Sequence, residues 1–193
     1  SALASRQRCV RIIIFKVPAL RSATSSENAL ITASYKAMED DGAESSSIVV
    51  GLIENRAKEV GLAAFDLRSA SLHLSQYIET SNSYQNTKTL LHFYDPIVII
   101  IPPNKSAPNS TAGVTELIDR FYGALKKVVL ARGFFDDTKG AMLIKHLASK
   151  EPSALGLDTY YKQYYLCLAA AAATIKWYFH PSVIYVGYRG YFD

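Results

Sequence analysis

Cysteine is nearly absent from this chain of 193 residues; Cys9 and Cys167 are the only two. They form no CxxC pair and join no Cys/His cluster. A zinc site, a thioredoxin-like site and a disulfide framework therefore have no support, and a reducing compartment is the simpler expectation. Long apolar runs are missing as well. The longest stretch, Leu166 to Ile175, has about half of the roughly 20 residues a bilayer-spanning helix needs, which points away from the membrane. An excess of one charge is missing from most of the sequence. Residues 1–37 hold six basic side chains (Arg6, Arg8, Arg11, Lys16, Arg21, Lys36) against Glu27, a balance of +5, whereas residues 38–193 hold the remaining 15 basic and 16 acidic ones, a balance of −1. A surface that grips phosphates concentrates Lys and Arg, because counterion release supplies most of the affinity; beyond residue 37 that signal is lacking.

Catalytic signatures are equally scarce. Nothing fits G-x-x-x-x-G-K-S/T, and Thr138-Lys139-Gly140 has those letters in the wrong order for a phosphate-cradling loop. No serine sits in G-x-S-x-G. His73, His92, His146 and His180 are scattered without ligand spacing. Lys126, Lys127 and Arg132 are too few to hold DNA and read as a solvated face. The pairs Tyr160-Tyr161 and Tyr164-Tyr165 resemble a base-stacking platform, but at helical spacing packing and docking are the simpler roles. The expectation is a chain with no catalytic, cofactor-binding or metal-ligating set.

What is present is a well-patterned fold. With 49% hydrophobic and 20% charged residues the chain is long enough for one domain with a real core. Residues 1–46 read as a basic and polar leader, expected to be disordered; residues 1–37, rich in Ser and Ala and poor in acids, also have the composition of an organellar transit peptide. Ile48 to Glu54 and Val60 to Leu67 read as two antiparallel strands around a polar turn, and the alternation of Leu72, Leu74 and Ile78 adds a third. Tyr84, Thr87, Leu91 and Tyr94 share a helical face that ends at Asp95-Pro96. Ile97 to Ile101 is a continuous apolar run, expected of a parallel strand covered on both faces. A helix capped by Ser110 or Thr111 and carrying Val114, Leu117, Ile118, Phe121 and Leu125 follows, then a short strand, Lys127 to Ala131. Asp136 or Asp137 opens the next helix, with Ala141, Ile144 and Leu147, which Pro152 stops. The last helix is expected to begin at Asp158 with the stripe Tyr161, Tyr165, Leu168, Ala172 and Ile175, and Ala172 where it comes closest to the sheet.

Three antiparallel strands followed by two reached through helical crossovers make a mixed five-stranded α/β sheet with helices on both faces, the element order of the ribonuclease H-like fold. A nuclease of that fold needs carboxylates converging on two magnesium ions. Glu54 and Asp66 are the only strand acids of the leading meander, and Asp136 and Asp137 are better explained as helix-start residues, so a metal-dependent nuclease is the weaker alternative and Asp66 reads as a sheet-edge or turn-facing acid.

Longer stretches resemble a known family. Gly51 to Gln76, Tyr84 to Leu91, Phe134 to Gly140 and Gly156 to Lys162 are similar to the connector domain of the MutS family, in particular its meiotic branch in flowering plants. The resemblance covers about residues 38–177, with Met38 as the usual start, and implies domain bounds of 47–177 followed by a divergent tail, 178–193, expected to be loosely attached. It further implies a non-catalytic module with a ribonuclease H-like fold and no nuclease acids. Its parent would bind branched recombination DNA and ATP with magnesium, pair with MutS homolog five, promote crossovers and act on meiotic chromosomes in the nucleus. The family's lever, clamp and ATPase regions have no counterpart in these 193 residues, so a fragment or truncated form of such a protein is the expectation.

Overall fold

The computed structural model describes residues 11–16, 46–103, 113–148 and 163–179. One sheet organises them. Its strands are β1 (Arg11–Lys16), β2 (Ile48–Glu54), β3 (Glu59–Asp66), β4 (Ser71–Ile78), β5 (Val98–Ile101) and β6 (Lys126–Val129), in the spatial order β1-β4-β3-β2-β5-β6. β3 runs against β2 and β4, β5 and β6 run parallel to β2, and β1 runs against β4. The five strands β2 to β6 thus have the expected mixed arrangement, three in a meander and two reached by crossovers, and this is a ribonuclease H-like α/β fold. The sixth strand is an addition. Arg11–Lys16 lies in the stretch read from sequence as a leader, because a strand that pairs with β4 from far along the chain carries no turn signal to announce it.

Alternation along the strands divides the core in two. Val50, Leu52, Val60, Leu62, Ile99 and Ile101 face α1 (Gln85–Tyr94) and α2 (Val114–Phe121), which contribute Leu90, Leu91, Tyr94, Val114, Leu117 and Ile118. Val49, Ile53, Phe65, Leu72, Leu74, Val98 and Ile100 face the other way, toward α4 (Tyr165–Phe179), with α3 (Asp137–Leu147) packed beside it. All four residues of β5 are fully buried, as a parallel strand between two helical layers should be.

α4 differs most from its expectation. A one-sided stripe is the sequence reading, yet every residue from Leu166 to Ile175 is buried and Tyr165, a stripe position, is 38% exposed. The helix is wedged between sheet and α3, and glycines let it in. A Cβ on Gly51 would stand 2.9 Å from the Ala170 carbonyl oxygen and collide with the Thr174 hydroxyl. One on Gly61 would strike the Leu166 carbonyl, and one on Gly140 of α3 the Leu168 carbonyl. The closest approach to the sheet therefore runs along Leu166, Ala170 and Thr174, one residue per turn, and not at Ala172 as expected. α4 also continues past Trp177 through Tyr178 and Phe179, and the Tyr178 ring meets Phe65 edge-on at 5.4 Å, so the tail boundary at 178 falls inside the helix. α4 begins at Tyr165 and not at Asp158 as expected, since Gln163 and Tyr164 just before it are not helical. Asp158, Tyr160, Tyr161, His180 and the rest of the tail lie outside the described residues, as do Cys9, Ser110, Thr111 and Pro152.

Candidate functional site

Acidic side chains gather where β2 and β4 end and the two crossover helices begin. Glu54 closes β2. Its Oε1 accepts a hydrogen bond from the Tyr84 hydroxyl at 2.5 Å, and its Oε2 accepts one from the Val114 backbone N–H at 2.8 Å. That N–H is the first of α2, whose N-cap is Gly113 with no side-chain cap of its own, and a carboxylate from the sheet meets it; Ser110 and Thr111, the expected caps, lie outside the described residues. Glu79, buried just beyond β4, does the same for α1. Its Oε1 accepts from the Thr87 backbone N–H at 2.7 Å and the Thr87 hydroxyl at 2.8 Å, and Oε2 from the Asn86 N–H at 3.4 Å. Thr87 in turn accepts from the Tyr77 hydroxyl at 3.0 Å. A carboxylate at a helix N-terminus meets both unpaired N–H groups and the positive end of the helix dipole. Burial, with the nearby carboxylates, raises the phenols of Tyr77 and Tyr84 far above their ordinary values. Both tyrosines stay neutral donors.

Asp66 stands elsewhere. It pairs with Ile48 at the start of β2, whereas Glu54 ends that strand six residues on, about 20 Å away at the rise of an extended chain. Burial works against its charge, but hydrogen bonds from Ser69, from the Ser47 hydroxyl at 2.7 Å and from the Arg68 N–H at 2.9 Å outweigh that and hold its carboxyl below the usual value. It is a turn-forming acid. Asp136 caps α3 by accepting from the Lys139 N–H at 2.9 Å, and Asp137 occupies the first turn. The strand acids do not converge, and among the described residues no three His, Cys, Asp or Glu side chains are placed to share a metal ion.

The remaining sequence candidates disperse. Thr138, Lys139 and Gly140 form the first turn of α3. His73 is half-buried with its Nδ1 3.4 Å from the Tyr94 hydroxyl, His146 bonds the Met142 carbonyl, and His92 is exposed. Lys127 pairs with Asp119, while Lys126 and Arg132 are exposed. Cys167 is buried in α4, where desolvation pushes its thiol up to about 12. Tyr165 accepts a hydrogen bond from the Asn55 side chain at 2.8 Å instead of packing in the core. No helix among the described residues is long and apolar enough to cross a membrane.

Gln76 and Glu79 escaped sequence reasoning. The Gln76 Nε2 donates to Glu59 at 2.9 Å and to the Gln163 carbonyl at 2.8 Å, and its Oε1 accepts from the N–H groups of Leu166 and Cys167 at 2.9 and 3.2 Å. It pins the start of α4 to the sheet. No local spacing reveals it, since its partners lie far away in sequence; the one available hint was an amide on the apolar face of β4, in line with Leu72 and Leu74.

The arrangement defines a ribonuclease H-like domain whose acids cap helices, set by three glycines around a buried alanine-rich helix. Over 140 residues, 72% of its length, the chain is 77% identical to the DNA mismatch repair protein MSH4 of Arabidopsis thaliana, and over 138 residues 30% identical to the MutS protein homolog 4 of Homo sapiens. It belongs to the MutS homolog 4 family. The chain spans 18% of the length of the Arabidopsis relative and 14% of the human one. No family model matches. Among solved structures, the Fowlpox virus resolvase in complex with Holliday junction DNA is similar with a TM-score of 0.47 and 16% identity, covering 68% of this chain and 96% of that one. The T. thermophilus RuvC, in complex with a Holliday junction substrate, follows at 0.41 and 11%, covering 72% and 96%.

Proposed function

We propose that this chain acts as the connector module of a meiotic MutS homolog, a non-catalytic domain that passes movement between the DNA-embracing and ATP-hydrolysing parts of its parent. The identity of 77% over 140 residues carries the reading. The commitment of Glu54 and Glu79 to helix N-termini and of Asp66 to a turn supports it, as does the nearly neutral balance beyond residue 37. On this reading ATP, magnesium and branched recombination DNA belong to the parent protein, as do pairing with MutS homolog five and work on meiotic chromosomes in the nucleus. Two measurements test it. Placed in the Arabidopsis relative in exchange for the matching stretch, the chain should sustain crossover formation. The purified chain should show no saturable ATP binding by calorimetry and no magnesium-dependent cleavage of a four-way junction. Loss of crossovers in a well-expressed exchange would sink the module reading, and junction cleavage that disappears in Asp66→Ala would replace it with a nuclease.

A further inference from the structure

Within the five strands β2 to β6, the two outer strands are built differently. β6, at one edge, has four residues, and both of its lysines, Lys126 and Lys127, are exposed. Shortness and lysine are devices that keep an edge strand from pairing with a stranger. β4 has neither. It runs eight residues, Ser71–Ile78, without Lys, Asp, Glu, Pro or Gly, and Ile78 alone is exposed. Helices cover both faces, with Leu72 and Leu74 toward α4 and Tyr77 toward α1. It has the composition of an interior strand, and β1 makes it one, in a register from Arg11 opposite Gln76 to Lys16 opposite Ser71.

β1 is attached loosely by sequence and firmly by pairing. Its one sheet neighbour is β4, and it lies outside residues 38–177, the stretch that carries the family resemblance. Lys16 stands opposite Ser71, Ser71 opposite Asp66 and Asp66 opposite Ile48, so β1 ends three strand spacings from the start of β2, about 15 Å. Residues 17–47 could reach several times farther. The connection therefore does not dictate where β1 sits. A segment joined to its site through a connection of that length competes at an effective concentration on the order of millimolar.

We propose that the outer edge of β4 is a strand-docking site, occupied in this chain by its own Arg11–Lys16, and that a separate extended peptide with an aliphatic core between basic ends can take the same place. Backbone pairing supplies the affinity, and the alternating side-chain positions beside Leu72, Leu74 and His73 supply the selectivity. While β1 is seated the edge is closed to other strands.

The test uses the full-length chain with Ile13→Pro and, separately, Ile12→Pro. Neighbouring N–H groups of a strand point to opposite sides, so one of the two prolines removes a ladder bond whichever way β1 faces. Hydrogen exchange is followed at β4, β2 and β3, and a fluorescent peptide of residues 10–17 is titrated by anisotropy. The wild type should protect β4 and leave the peptide unbound below the millimolar range. At least one variant should lose protection in β4 but not in β2 or β3, bind the peptide at least about tenfold more tightly than the wild type does, and regain protection with it. Wild-type protection and no peptide uptake in both variants would overturn the proposal. Loss of protection in β2 and β3 as well would make β1 part of the cooperative core, and a dimer with β4 protected against peptide would assign the edge to a second copy; either result overturns it too.

Discussion

Replacing Gly61 with alanine adds one methyl group at the interface where α4 crosses β3. The new Cβ would lie well inside van der Waals contact with the carbonyl carbon and oxygen of Leu166 and the amide nitrogen of Cys167. These are backbone atoms, so no rotamer change relieves the clash and the helix or the strand must shift. Overpacking of that kind costs about 1–3 kcal/mol. A shift of α4 also strains the bonds from the Leu166 and Cys167 N–H groups to Gln76, each worth about 0.5–1.5 kcal/mol. Against this, alanine stiffens the unfolded chain and returns about 0.4–1 kcal/mol. The net expectation is a loss of about 2–3 kcal/mol, which at a slope of about 2 kcal/mol per molar lowers the urea midpoint by about 1 M. Trp177, the sole tryptophan and buried in α4, reports the transition by fluorescence. Gly133→Ala is the control, because nothing lies within 4 Å of the Cβ it would add. Equal midpoints for the two variants would show that α4 does not sit this close to the sheet.

Gln76→Met keeps the volume but strands the N–H groups of Leu166 and Cys167, and it should cost about 2–3 kcal/mol in the same melts; an unchanged midpoint would mean the start of α4 is held by packing alone. Glu79→Ala removes the acceptor of the Thr87 and Asn86 N–H groups and should both destabilise the domain by about 1–3 kcal/mol and speed hydrogen exchange at the first turn of α1, whereas a variant with unaltered exchange there would refute the capping role. Alkali should destabilise the fold: burial pushes Cys167 and Tyr94 each up to about 12, while the unfolded thiol and phenol ionise near 8.5 and 10. The unfolded state then holds fewer protons, so stability is full below about pH 8.5 and falls from there toward pH 12. Urea midpoints that stay level between pH 8 and pH 10.5 would contradict it.

Features that were legible in the sequence are local ones. β5 is legible because four consecutive buried aliphatic residues need no partner to be recognised, and the end of α1 because Asp95 precedes proline; Asp95 there adopts a left-handed φ of 44°. The Asp136 cap is legible for the same reason, its target being three residues away. Distance along the chain explains what was not. Glu54 reaches Val114 across 60 residues and Gln76 reaches Leu166 across 90, spacings with no pattern to search for. α4 departs from its expectation for a different reason. A stripe presumes one wet face, whereas the small side chains of the alanine run 169–173 serve burial on every side.

The three glycines and the two sheet-borne caps bear on the proposed role together. Gly51 and Gly61 seat α4 on β2 and β3, Gly140 seats α3 on α4, and Glu54 and Glu79 tie the starts of α2 and α1 to the ends of β2 and β4. Every α-helix among the described residues is thus fixed to the sheet, or to a helix fixed to it, by backbone contact or by a carboxylate on backbone N–H groups. Such contacts have little room for sliding, because a close-packed interface of backbone on backbone has no side chain to rearrange. A domain that passes displacement between its neighbours must not absorb that displacement itself. This supports reading the described residues from β2 to α4 as one stiff body, to which β1 is paired along a single strand edge.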